Sequence, residues 1–135
     1  MIASNNRSES NTGFGIRLQN GAANNLVEKN EVFHNTQDGI ELENDVDGNQ
    51  VQVNFVRGNG RDGIRVGDTL SADNMMERNQ MRMNTEHDAH DDSVGPGTGG
   101  TANFWIKNHC EIDNRLGSLC HPDDDADADN DESDK

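Results

Sequence analysis

Between residues 87 and 92 the chain reads His-Asp-Ala-His-Asp-Asp, which puts His87, Asp88, His90, Asp91 and Asp92 within six positions. Carboxylates are hard oxygen donors suited to Ca²⁺, and imidazoles favour Zn²⁺ or Cu²⁺, so these five residues form a candidate metal cluster. A second use is proton transfer: an imidazole oriented by a carboxylate is a general base, and His90 with Asp92 or Asp88 beside it fits that role. A third use is structural, with the same side chains capping a terminal turn by accepting backbone amides of the glycine-rich run from Gly95 to Gly100. Spacing alone leaves the three open. His-x-x-His brings two imidazoles together only if the backbone is not a continuous strand there.

Which residues share a face depends on the elements that carry them, and those elements repeat. Gly15-Ile16-Arg17-Leu18 recurs as Gly39-Ile40-Glu41-Leu42 and again as Gly63-Ile64-Arg65-Val66, each step being 24 residues. Asparagines keep the same period: Asn6, Asn30 and Asn54 form one series, and Asn11, Asn35 and Asn59 another. One inserted residue shifts the frame to Asn74, Asn79 and Asn84, and an extension around Gly95-Pro96-Gly97 shifts it again to Asn103, Asn108 and Asp113. A unit of this length with period-two alternation and no helical period predicts one coil of a β-solenoid with three short strands. Val27, Val32, Ile40 and Leu42 face inward in one coil, and Val51, Val56, Ile64 and Val66 in the next. Stacked coils lie about 4.8 Å apart, so equivalent asparagines can bond in ladders that satisfy inward-facing amides.

Stacking turns single residues into columns. The outward position between the two inward residues of the third strand gives Arg17, Glu41, Arg65 and His90 in successive coils. The position before the glycine gives Phe14, Asp38, Asp62 and His87, and the position two beyond the first gives Gln19, Glu43, Gly67 and Asp92. Arg17, Glu41, Asp38 and Asp62 are accordingly candidate ligand-binding residues on one charged face.

Composition bounds the rest. The 135 residues carry a formal charge of −15, with 30% apolar and 4% aromatic residues and no tyrosine. That charge argues against nucleic acid or an anionic membrane as partner, and no apolar run reaches the roughly 18–20 residues of a membrane helix. Asparagine occurs 19 times and glycine 14 times, against a helical protein. The repeat spans residues 1–120. Residues 121–135 hold 8 of the 26 acids and no large apolar side chain, so this stretch reads as an acidic disordered tail. Its Asp125-x-Asp127-x-Asp129 resembles the start of a calcium loop without the glycine such a loop needs. Residues 1–20 lack a secretory leader. Asn25 maps back onto Met1, so the chain opens in mid-coil and further N-terminal coils of the same protein are expected to precede it.

The repeat Asn-x-Val-x-x-Asn-x-Val followed by Asp-Gly-Ile-x-Leu resembles that of right-handed parallel β-helix proteins of the pectate-lyase-like superfamily. The segments His87–Ser93, Gly99–Trp105 and Gly117–Cys120 are similar to the closing coil of secreted members. The resemblance implies an all-β, right-handed parallel β-helix, exported to the cell surface or beyond, serving as a scaffold or recognition module for polysaccharide. Such members often have cysteine where this chain has Ala89, which leaves Cys110 as the partner implied for Cys120, in an oxidising compartment. Asp88-Ala89-His90-Asp91 is also similar to the Asp-Pro-His-Asp motif of uronate C5-epimerases. That likeness implies an alternative, a polysaccharide lyase or epimerase, with His90 as base, Arg65 meeting the substrate carboxylate and Asp92 or Asp88 orienting the imidazole. Periplasmic copper-binding β-helix proteins share the repeat, which keeps a metal, Ca²⁺ included, among the expectations. Trp105 matches the inward Val27 and Val51 and is expected in the core rather than as a sugar platform.

Overall fold

A computed structural model describes residues 1–121 as a parallel β-solenoid. The acidic tail expected at residues 121–135 therefore lies, from Pro122 onward, outside the described residues. Among the described residues, thirteen short strands, numbered in chain order, form three sheets that run along the solenoid. The first sheet holds β1 (Ile2–Ser4), β4 (Leu26–Glu28), β7 (Gln50–Gln52), β10 (Met75–Glu77) and β13 (Phe104–Ile106). The second holds β2 (Arg7–Glu9), β5 (Glu31–Phe33), β8 (Phe55–Arg57) and β11 (Gln80–Arg82). The third holds β3 (Ile16–Gln19), β6 (Ile40–Glu43), β9 (Ile64–Val66) and β12 (Ala89–Asp91). Every pairing is parallel, and the register follows the repeat: Ile16 pairs with Ile40, Ile40 with Ile64, and Ile64 with Ala89.

A three-residue strand of the first or second sheet sends its middle residue inward, whereas one of the third sheet sends in the two residues that flank its middle, so the core is a set of single-file rows. Val27, Val51, Met76 and Trp105 stack in the first sheet, and Val32, Val56 and Met81 in the second, all essentially without solvent contact. Trp105 is core, as expected; its indole N–H donates to Asp91 Oδ2 at 2.8 Å. So thin an apolar interior is closed by amides. Asn54 Oδ1 accepts both the backbone N–H and the side-chain amide of Asn30, at 3.0 Å each, while Asn54 Nδ2 donates to Asn79 Oδ1 and to the Val27 carbonyl. The same pattern links Asn25, Asn49, Asn74 and Asn103, and Asn11, Asn35, Asn59 and Asn84. With both lone pairs and both N–H groups used, a buried amide costs little.

Corners are made by left-handed residues placed just before ladder asparagines, such as Lys29 (φ 55°), Val53 (φ 55°) and Arg78 (φ 56°). The Asp-Gly-Ile repeat has a steric cause. A Cβ on Gly39 would meet the Gly63 carbonyl oxygen at 2.8 Å and a Val56 methyl at 2.6 Å, so only glycine lets successive coils stack there. The far end is closed by the Cys110–Cys120 disulfide, with Cα atoms 4.9 Å apart. Beside it, Asp113 accepts the backbone N–H groups of Arg115, Gly117, Leu119 and Cys120. Among the described residues no helix is long and apolar enough to cross a membrane.

Candidate functional site

The outer face of the third sheet collects charge because the outward positions of β3, β6, β9 and β12 bring Arg17, Glu41, Arg65 and His90 into one file. At its centre the Arg65 guanidinium lies within 4 Å of five carboxylates: Glu41 (3.2 Å), Asp62 (3.6 Å), Glu43 (3.7 Å), Asp38 (3.9 Å) and Asp92 (3.9 Å). Arg17 Nε adds a contact of 2.7 Å to Glu41 Oε1, too poorly aligned to count as a hydrogen bond. Asp38, Glu41 and Asp62 are buried beneath these cations although they sit on the outside of the sheet. Asp38 Oδ1 accepts the Asp62 backbone N–H, and Asp62 Oδ1 accepts that of His87, so the aspartates also tie one coil to the next.

Satisfaction is incomplete. Asp38 Oδ2, Glu41 Oε1, Asp62 Oδ2 and Arg65 Nε are buried without a hydrogen-bond partner. Burial pushes the Glu41 carboxyl up to about 7, Glu43 beside it pushes the same way, and Arg17 works against the rise. Burial likewise raises the Asp38 carboxyl, with the Asp62 amide bond and Arg65 opposing. Five carboxylates facing two guanidinium groups leave a surplus of negative charge, so the face favours a cation or donor-rich ligand over an anion.

At the distal end of the file His87 and His90 turn toward Asp62. His87 Nδ1 lies 3.1 Å from Asp62 Oδ1, His90 Nδ1 lies 3.6 Å from Asp62 Oδ2, and the two Nδ1 atoms are 3.4 Å apart. His90 Nε2 contacts Asp92 Oδ1 at 2.9 Å. The two imidazoles meet because β12 begins only at Ala89, leaving His87 outside the strand. The remaining acids of the motif point the other way. Asp88 is buried, accepting the Asn84 side-chain amide and the backbone N–H groups of Glu111 and Ile112. Asp91 is fully buried, accepting from Ser93, Asn103 and Trp105. Both cap the last coil from inside. The outer cluster is therefore His87, His90 and Asp92 with Asp62 added from the coil below, while Asp88 and Asp91 stand apart from it, and Asp88 is not positioned to orient His90.

A second outer face carries chemistry that the column reading of the third sheet left aside. Across β2, β5, β8 and β11, Arg7 and Arg57 lie over the ring of Phe33 at 5.0 and 4.6 Å, and Arg57 and Arg82 lie over Phe55 at 5.5 and 5.2 Å. Arg7 pairs with Glu9. Among the described residues Arg57 and Arg82 have no carboxylate within 4.0 Å. The step from Phe33 to Arg57 to Arg82 follows the repeat, so the same column arithmetic applied to the second sheet reveals it.

A family model described as the right handed beta helix region matches residues 1–116. No curated protein and no solved structure matches the chain.

Proposed function

The chain belongs to the right-handed β-helix family, and from that premise we propose that it is an exported recognition module for a carboxylated polysaccharide, held along the second sheet. The observation that carries this reading is the guanidinium–phenyl ladder of Arg7, Phe33, Arg57, Phe55 and Arg82. A guanidinium resting on a phenyl face keeps its N–H edges free for bidentate capture of a carboxylate. The coil spacing of about 4.8 Å repeats that capture along the solenoid axis, comparable with the repeat of uronate units in an extended chain. The overall charge of −15 opposes an acidic polymer, but screening confines exposed charges to roughly 8 Å at physiological ionic strength, so the local face governs contact. Export is supported by the Cys110–Cys120 bridge, since such bonds persist in oxidising compartments.

Binding to pectate and alginate, with neutral dextran as control, tests the reading. Binding to the acidic polymers that weakens with added salt and is lost in Arg57→Gln/Arg82→Gln is the expected result; undiminished binding in that double variant refutes it. A second reading, uronate lyase or C5-epimerase, is favoured by the His90 imidazole held at Asp92. Against it, the carboxylate-receiving role of Arg65 competes with the five carboxylates already around that group. Unsaturated-uronate absorbance that disappears in His90→Ala and survives in His34→Ala would establish the lyase, and solvent-deuterium incorporation at C5 without that absorbance, with the same dependence on His90, would establish the epimerase.

A further inference from the structure

Three metal-ligating side chains converge at the end of the third sheet. Asp62, His87 and His90 each offer one ligand atom, and those atoms all lie within 4.8 Å of one another. His87 Nδ1 stands 3.1 Å from Asp62 Oδ1 and 3.4 Å from His90 Nδ1, and His90 Nδ1 stands 3.6 Å from Asp62 Oδ2; an ion bound at about 2.0–2.1 Å in tetrahedral geometry separates its ligands by about 3.3 Å. Two further observations point the same way. Asp62 is 1% exposed, yet its Oδ2 has no hydrogen-bond partner and faces His90 Nδ1. The outer nitrogen of His90 meets Asp92 Oδ1 at 2.9 Å, the carboxylate–imidazole arrangement that orients a metal-binding histidine.

We propose that Asp62, His87 and His90 form a mononuclear site for a tetrahedral divalent ion of borderline softness, Zn²⁺, with Asp92 positioning His90. Two imidazoles and one carboxylate suit Zn²⁺, whereas Ca²⁺ takes six to eight oxygens at about 2.3–2.6 Å. The His87 side chain is 30% exposed, so water can reach a fourth coordination position. Arg65 Nε, 3.6 Å from Asp62 Oδ2, is a competing cation, but the carboxylates around it outnumber the guanidinium groups. This site lies on a different face from the ladder assigned to polysaccharide, and neither depends on the other.

The full chain, stripped with EDTA, is titrated with Co²⁺ and then Zn²⁺. One equivalent of Co²⁺ per chain should give the intense visible band of a tetrahedral centre, displaced by Zn²⁺ and indifferent to excess Ca²⁺. His87→Ala and His90→Ala, checked for folding by circular dichroism, should each lose the band and bind roughly 100-fold more weakly or worse, and Asp92→Asn should weaken binding about 10–100-fold. His34→Ala should match the parent. A weak octahedral spectrum, displacement by Ca²⁺, or a band that persists in the His87→Ala/His90→Ala double variant overturns the proposal, because each places the ion on the acidic segment or on other histidines.

Discussion

Two regions of this solenoid bury polar side chains, and they treat them oppositely. Along the interior ladder, Asn30, Asn54 and Asn79 use every donor and acceptor of their amides. On the outer face of the third sheet, Asp38, Glu41, Asp62 and Arg65 each leave a buried atom without a hydrogen bond. Both regions have the same backbone repeat and the same stacking distance, so the difference lies in side-chain type. An amide carries a donor and an acceptor and repeats indefinitely against copies of itself, whereas carboxylates stacked on carboxylates repel and need cations between them. The ladder is matched to itself and carries stability. The charged face is not, and its unmet atoms are where a ligand gains most.

The largest expected contrast is between two asparagines. Asn54→Leu removes bonds to Asn30, Asn79 and Val27 from a buried site and should lower unfolding free energy by about 3–5 kcal/mol. Asn44→Leu, exposed and at φ 74°, should cost only about 1 kcal/mol. Denaturant titrations with equal losses for the two would erase the distinction between ladder and surface.

Glu41 comes next, and its sign is opposite. Its carboxyl, ordinarily near 4.5, is raised to about 7, so the native state holds the proton more tightly than the unfolded chain does. The stability this contributes is complete below pH 4.5 and is lost as pH rises through 7. Glu41→Gln should therefore stabilise the protein at pH ~8 by on the order of 2 kcal/mol and have little effect near pH ~4. Thermal melts across that range check it. A variant that is less stable than the parent at the higher pH would mean that the charged face supports the fold after all.

The smallest effect concerns the corners that serve both regions. Val53 holds φ 55°, a conformation costly for a β-branched residue, while Asn5 occupies the same corner two coils earlier at φ 58°. Val53→Asn should raise stability by about 0.5–1 kcal/mol. No gain in the unfolding midpoint would show that the neighbouring coils already relieve the corner.

The solenoid was legible because its causes are periodic: Ile40 and Leu42 alternate with Glu41, and Asn30, Asn54 and Asn79 recur where amides must pair. The columns through Arg65 and His90 follow from the same register. Asp91 was legible too, since it aligns with the inward Val66, but the run His87–Asp92 read as one patch conceals the alternation within it. Asp88 was not. It stands in the column of Gly39 and Gly63, and a side chain is tolerated there only because the coil beyond is reduced to one bridge between Ala89 and Asp113. The arrival of Asp62 beside the histidines needed the coil below to be placed in space. The arginine–phenylalanine ladder needed the second sheet to be read with the attention given to the third.

Unfolding free energies measured in EDTA for His87→Ala/His90→Ala and for Asn54→Leu test the division of labour most directly. The histidine double variant should stay within about 1 kcal/mol of the parent, as expected for partly exposed side chains outside the core. Asn54→Leu should lose several times that. A double variant as unstable as Asn54→Leu would contradict the account, because the charged face would then be part of what holds the coils together.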